Sequence, residues 1–236
     1  MAENTDKISI GDVSGGNVAV GSTVGWMTAG AASDGQPSDR ATAESRGVAV
    51  RLGFVVDVVA YGQRSAGLRR DIEDRLHALV PVLVADAGVE FDATDSKPAG
   101  DGMAVFFPAG IDPTRALPDL LRAASNRLAL DNERYRDRMR LRMAVGSGLV
   151  GSGPMGLTGG LIVDLNRLLD SHPLRQAVTR YPDSDVVVLI ANALYDDVVG
   201  PGYLRPTMGP FHRVAVKRKE FVATAWLWTS TPGAAG

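Results

Sequence analysis

The stretch FVVDVVAYG at residues 54–62 sets one carboxylate, that of Asp57, inside a run of valine and aromatic side chains. A second stretch, KPAGDGMAVF at residues 97–106, places Asp101 between two glycines. A carboxylate buried among apolar groups needs a partner, a proton or a cation. Two carboxylates in a chain without cysteine suit a hard divalent cation and a phosphate-bearing ligand. The alternative on composition alone is that Asp57 caps a neighbouring amide and Asp101 is an ordinary turn residue, because turns favour Asp-Gly.

Strand and helix patterns alternate around these aspartates. The predicted elements are a strand over 47–61, a helix over 65–87 that Pro81 kinks or divides, a strand over 89–94, a turn over 97–102, a strand over 103–107, a helix that Asp112-Pro113 opens and a strand over 138–145.

This β-α-β-β-α-β order predicts an α+β fold with a ferredoxin-like core, an antiparallel sheet and both helices on one face. In that topology the third strand lies beside the first. The hairpin tip at 97–102 then falls near the C-terminal end of the first strand, so Asp57 and Asp101 are expected to meet.

C-terminal additions follow the core. The glycine-rich stretch at 146–153 is predicted as a loop; it matches G-x-G-x-x-G, but no helix opens at its third glycine, which argues against a dinucleotide site. The further elements predicted are a helix over 160–170, a strand over 185–190, a short helix over 192–199 and strands over 211–216 and 221–228.

Composition predicts a cytoplasmic protein. The 236 residues carry a net charge of −2, so no global basic field recruits nucleic acid, and no cysteine is available for disulfides or zinc. No apolar run is long enough to span a bilayer. The predicted domains are a β-prone segment at 1–27, a linker at 28–46, the main domain at 47–229 and a disordered tail at 230–236.

The main domain resembles the catalytic domain of class III nucleotidyl cyclases. Phe54-x-x-Asp57 resembles the family's first metal-binding strand, and KPAGDGMAVF resembles its second metal motif. The strand that starts at Arg142 resembles the family's Arg-x-Gly-x-x-x-Gly-x-Val, and Gly160-Leu-Ile-Val-Asp164 resembles the Gly-x-x-Val-Asn that opens its transition-state helix.

The resemblance implies roles for individual residues. Asp57 and Asp101, with the Val58 carbonyl, would hold Mg2+ or Mn2+. Lys97 would read the base and favour ATP over GTP; the alternative is a solvated hairpin lysine. Lys217 would bind phosphate; the alternative is a solvated strand edge.

The chain departs from the family pattern in its transition-state half. The family's second base-reading residue corresponds to Leu157, with Thr158 one step away. Its asparagine corresponds to Asp164, and its arginine to Leu168, although a slip of one residue would present Arg167. A helical step of one turns a side chain by about 100°.

The expected function is therefore conversion of ATP, or of GTP, to a cyclic 3′,5′-nucleotide and pyrophosphate by a homodimer. Family sites form between two subunits, which is why a homodimer is implied. The alternative is a degenerate cyclase-like module that binds nucleotide or a partner without turnover. A dimerisation domain without a ligand is a third alternative.

The N-terminal segment resembles short amyloid-type signalling motifs of microbial immune proteins and necroptosis adaptors. The sequences ISIG at 8–11 and VAVG at 18–21 alternate β-branched with small residues and lack proline. The resemblance implies homotypic β-type assembly. The alternatives are a disordered tail or a strand added to the domain's own edge.

The first prediction concerns this segment. A peptide of residues 4–27 should convert to β structure and self-associate, because its two repeats alternate β-branched residues and end in glycine. Circular dichroism and sedimentation before and after seeding measure this. A peptide that stays monomeric and random-coil at high concentration, even when seeded, contradicts the assignment.

Overall fold

A computed structural model describes residues 47–153, 156–204 and 208–230. The predicted signalling segment at 1–27, the linker at 28–46 and residues 231–236 of the predicted tail lie outside the described residues. The elements are β1 Ala49–Val58, α1 Ala66–Asp86, β2 Asp95–Ala99, β3 Gly102–Phe106, α2 Pro113–Arg134, β4 Leu141–Gly153, β5 Gly156–Thr158, α3 Gly160–Leu169, α4 His172–Arg180, β6 Val186–Ala191, α5 Asn192–Leu194, β7 His212–Arg218 and β8 Phe221–Thr229.

One mixed sheet organises these elements. Its strand order is β2-β3-β1-β4-β6-β8-β7, and β5 pairs with β4. The first four strands pair antiparallel, with β3 and β4 on either side of β1, as the ferredoxin-like prediction requires. The α+β fold class is therefore confirmed. Beyond this core the sheet is mixed, because β4 and β6 run parallel.

The two long helices cover one face of the sheet. Their buried residues share a hydrophobic cluster with β1, β4 and β6, in which Phe54, Ile72 and Leu120 have no exposed surface. Side-chain caps start both helices: Ser65 accepts from the amide of Leu68, and Asp112 accepts from the amide of Thr114. Helix α1 runs through Pro81 without dividing.

The opposite face is covered by α3 and α4. A second cluster of buried residues joins these helices to β1, β4, β6 and β8. Helix α4 was not predicted from the sequence. It has only nine residues. Two features mark its start: the side chain of Ser171 accepts a hydrogen bond from the amide of Leu174, and a proline lies in the first turn.

Two boundary predictions are wrong. The strand predicted over 89–94 is largely a 3₁₀ turn, and β2 comes later, so Lys97 lies in a strand and not in the turn. The glycine-rich stretch 146–153 belongs to β4 and is not a loop. Its glycines serve close packing: a Cβ at Gly146 would lie 3.1 Å from Leu161 Cδ1 on α3.

Within the described ranges, none of the helices has the length and apolar character needed to cross a bilayer.

The second prediction tests the contact between β3 and β1. Gly102→Ala should lower the free energy of unfolding by at least about 3 kcal/mol, because the new Cβ would lie 2.1 Å from the backbone oxygen of Val56. Gly67→Ala is the control: nothing lies within 4 Å of its Cβ position on α1, so it should be neutral or slightly stabilising. Urea unfolding measures both. Equal midpoints for the two variants would contradict the close approach.

Candidate functional site

Asp57 lies near the end of β1, directly opposite Arg142 on β4. Side chains of directly paired residues project from the same face of a sheet, so the carboxylate and the guanidinium meet. Arg142 Nε donates to Asp57 Oδ2 at 2.7 Å, and Nη2 of the same guanidinium donates to the same oxygen. Asp57 is only 6% exposed.

The second oxygen of this carboxylate has no partner. Oδ1 of Asp57 is the one buried side-chain oxygen or nitrogen among the described residues that lacks a hydrogen bond. Leaving a buried polar atom unpaired costs about 1–3 kcal/mol. Burial, and to a smaller extent the nearby Asp101 carboxylate, raise the pKa of Asp57 from 3.8 to about 6 against the opposing effect of Arg142.

Asp101 reaches Asp57 through the β2–β3 hairpin. Gly100 has a positive φ of 64°, which suits glycine at the tight turn. Gly102 pairs directly with Asp57, and the amide of Val58 donates to the backbone oxygen of Asp101 at 3.3 Å. The hairpin thus brings together the two carboxylates that the sequence singled out.

The Val58 carbonyl faces the same hairpin. The amide and carbonyl of one strand residue point to the same neighbouring strand. Since the Val58 amide bonds Asp101, its carbonyl also points toward the hairpin. Asp57 Oδ1, Asp101 and this carbonyl form an all-oxygen donor set, which fits Mg2+ or Mn2+. No group of three or more His, Cys, Asp or Glu residues that could hold a metal occurs in the part of the chain that the structure describes.

Arg142 is the residue of the candidate site that the sequence did not single out. From the sequence, Lys97 is assigned to the base, and Arg142 only marks the strand that resembles the family's Arg-x-Gly-x-x-x-Gly-x-Val. Lys97 is exposed on β2, with β3 between it and β1. The signal that could have found Arg142 is register: once β1 and β4 are paired, only one residue lies opposite Asp57.

The loop after Asp57 carries a further departure from the resemblance. The family's first metal motif, Phe-Ala-Asp-Ile-x-Gly-Phe, has glycine where this chain has Ala60. Ala60 nevertheless adopts φ 58°, ψ 28°, in the left-handed region. An alanine there costs about 1–2 kcal/mol relative to the right-handed region. The left-handed backbone after Asp57 is thus adopted here by a residue that does not favour it.

Helix α3 presents Arg167 and not Leu168. Leu168 is 2% exposed and packs in the second cluster. Arg167 is exposed, pairs with Asp164 at 3.6 Å and stacks 5.1 Å over the ring of Phe221.

Gly159, which precedes α3 and has φ 148°, has no room for a Cβ, which would lie 2.3 Å from the backbone oxygen of Leu149. If Gly159 and not Gly160 is taken as the motif glycine, the arginine position becomes Arg167, but the asparagine position then becomes Val163 and not Asp164.

Thr158 and Lys217 lie near this helix along the sheet. Thr158 is exposed on β5, opposite Gly151. Lys217 is also exposed, but it points to the opposite face from its buried neighbour Val216, which packs with α3 and α4. Its neighbour Arg218, at the end of β7, donates a hydrogen bond of 2.8 Å to the carboxylate of Asp170, which directly follows α3.

The two halves of the site lie far apart within one chain. The row of paired residues from Asp57 crosses β4 and β6 and reaches β8 at Thr229. Phe221, which Arg167 covers, lies at the other end of β8. With strands ~4.8 Å apart and ~3.4 Å per residue, roughly 25–30 Å separates Asp57 from Arg167. One subunit alone does not bring them together.

Several solved structures of nucleotidyl cyclases have a similar fold. An adenylate/guanylate cyclase/hydrolase from Silicibacter pomeroyi superposes with a TM-score of 0.55 at 14% identity, covering 80% of this chain and 99% of that one. Adenylate cyclases from Trypanosoma brucei give 0.53 at 11%, covering 83% and 96%. The guanylate cyclase domain of RhGC from Catenaria anguillulae, solved with GTP, gives 0.52 at 13%, covering 78% and 98%.

These likenesses establish the fold that the sequence predicted. No protein-family model and no curated protein matches the sequence.

The third prediction concerns pH. Because the pKa of Asp57 is raised to about 6 in the folded state, the folded protein binds more protons than the unfolded chain between 3.8 and that value. Stability from Asp57 is therefore present below this window and lost as the pH rises through it. The free energy of unfolding of Asp57→Asn, relative to wild type in EDTA, should rise by about 1–3 kcal/mol from pH 4 to 6.5.

Urea unfolding of both proteins across this range measures the change. Asp112→Asn is the control, because this exposed cap has a lowered pKa and should show no such rise. A constant difference between wild type and Asp57→Asn contradicts the raised pKa.

Proposed function

We propose that this protein is a nucleotidyl cyclase that converts a nucleoside triphosphate, with ATP preferred, into the cyclic 3′,5′-nucleotide and pyrophosphate. The observation that supports this most is the convergence of Asp57 and Asp101, with an unpaired buried Oδ1, at the tip of the β2–β3 hairpin. The shared fold of adenylate and guanylate cyclases adds to it.

The proposed reaction forms one bond and breaks another. The 3′-oxygen attacks the α-phosphorus, the bond to the oxygen bridging to the β-phosphate breaks, and the hydroxyl proton is lost. Divalent ions held by Asp57, Asp101 and Val58 would activate the hydroxyl and bind the triphosphate. Arg167 would stabilise charge that develops on phosphate oxygens, and Lys97 and Thr158 would contact the base. Lys217 is a further proposed phosphate ligand.

A homodimer would complete the site. Since Asp57 and Arg167 are separated by most of the sheet's length, the metal half and the arginine half must come from different subunits if they act on one substrate. The exposed positions of Lys97, Thr158, Asp164 and Arg167 leave them available to a second copy. This arrangement is what the resemblance implies for the family.

Asp164 favours a second candidate, a nucleotide-binding module without turnover. Where the family has asparagine, Asp164 adds negative charge beside the ribose and triphosphate, which is unfavourable without compensation. Its partner Arg167 supplies that compensation in the free subunit at 3.6 Å. An arginine engaged in this way is less available to phosphate, so the cyclase is expected to be slow.

The N-terminal segment would then serve as a recruiting element. We propose that its two β-prone repeats assemble with like segments and thereby concentrate the domain. This proposal is supported by sequence pattern alone, and the peptide experiment above tests it.

The fourth prediction is catalytic. Purified protein with Mn2+ and ATP should yield cyclic AMP by mass spectrometry. Asp57→Asn and Asp101→Asn should each abolish product. Arg167→Ala should lower kcat by about 10²-fold, because it removes a group aimed at transition-state charge. The control is Arg122→Ala on α2, an exposed arginine with the same i,i+3 aspartate pairing, which should retain activity.

Mixing inactive variants tests the shared site. Asp57→Asn and Arg167→Ala chains combined should regain up to about a quarter of wild-type activity per total site, because mixed dimers hold one intact composite site. The absence of any cyclic product from wild type with ATP or GTP, Mg2+ or Mn2+, would favour the binding module instead. Leu168→Arg would not restore the family's arginine, because it would bury a charge in the second cluster.

A further inference from the structure

Arg142 gives the carboxylate pair an unusual charge balance. Asp57 and Asp101 contribute two negative charges, and the guanidinium neutralises one of them through Asp57 Oδ2. The site as built therefore carries one net negative charge. Protein sites that bind divalent cations tightly without other ligands use more carboxylates than this.

The guanidinium is held in place by the sheet. Arg142 lies in β4 between β1 and β6, and its sequence neighbours Leu141 and Met143 have no exposed surface. Its side chain is 21% exposed and that of Asp57 9%. Salt screens so shielded a pair only little. The positive charge of the Arg142 guanidinium therefore acts strongly on any cation bound at Asp57.

The ion pair with Arg142 also leaves the two oxygens of Asp57 in different environments. Both N–H groups bond Oδ2, whereas Oδ1 is buried without a donor. Oδ1 is therefore free to coordinate a cation without loss of the hydrogen bonds from Arg142. The cation must, however, bind within a few ångströms of a fixed positive charge, and that repulsion lowers its affinity.

We infer that Arg142 makes the cation site depend on nucleotide. With Arg142 present, the two carboxylates hold a divalent ion only weakly, and the negative triphosphate supplies the missing charge, so that metal and nucleotide bind together. Arg142 thus acts as a positioning residue and built-in counter-ion for Asp57. This inference rests on the proposed function for the identity of the second ligand, but its central test uses metal alone.

The test compares Mn2+ binding without nucleotide, by calorimetry and electron paramagnetic resonance. Arg142→Gln removes the charge and keeps a donor, and it should bind Mn2+ about tenfold or more tightly than wild type. Arg142→Lys keeps the charge and should bind within about threefold of wild type. The double variant Asp101→Asn with Arg142→Gln restores one net negative charge and should lose the gain.

A second measurement separates charge from folding. Arg142→Gln leaves two uncompensated carboxylates, so without metal it should melt below wild type, and Mn2+ should raise its Tm more than that of wild type. If the variant is unfolded without metal, Mn2+ should restore the fold. No restoration, or Mn2+ affinity in Arg142→Gln that is equal to or weaker than that of wild type, overturns the inference.

Nucleotide coupling is tested with 3′-deoxy-ATP, which lacks the attacking hydroxyl. Wild type should bind Mn2+ at least about tenfold more tightly in its presence, and the relative gain should be smaller in Arg142→Gln. Equal gains in the two proteins would overturn the coupling. Failure of wild type to make cyclic product would sink the proposed function but would leave the comparison with Mn2+ alone intact.

Discussion

The buried carboxylate of Asp57 is the constraint on which this domain's candidate site depends. A charge at 6% exposure in the middle of a sheet persists only with a counter-charge, and the pairing of β1 with β4 supplies it in Arg142. Any slip of one residue between these strands would turn Arg142 to the other face and leave Asp57 unpaired. Register, core packing and charge compensation are thus set by one pair of strands.

Glycine makes the second carboxylate reachable. The β2–β3 hairpin approaches β1 closely enough that no side chain fits at Gly102, and the backbone turns at Gly100 with a positive φ. Glycine also allows close approach elsewhere: α3 packs on glycines of β4, and at Gly159 any Cβ would meet the backbone oxygen of Leu149. Ala60 is the exception, because it takes a left-handed conformation without being glycine. Close backbone approach is the means by which this sheet brings polar groups together.

The sheet also separates what it builds. Carboxylates gather at one end of the sheet, and Arg167, Thr158 and the β7–β8 hairpin at the other. In the proposed homodimer, the carboxylate end of each copy would meet the arginine end of the other. The ion pair of Arg167 with Asp164 and the pair of Arg142 with Asp57 share a further property. In each, an arginine that could meet phosphate is held by a carboxylate in the free subunit.

The sequence by itself determined the α+β class, the neighbourhood of Asp57 and Asp101 and the starts of the two long helices near Ser65 and Asp112, because periodicity, topology rules and turn residues can be read from the sequence. It did not determine that 146–153 is a strand, because the glycines there allow close packing against Leu161 of α3, a tertiary contact. It also did not place Arg142, nor show that Arg167 is exposed while Leu168 is buried. Those facts depend on strand register and on which helix face meets the sheet, and only the tertiary structure decides them.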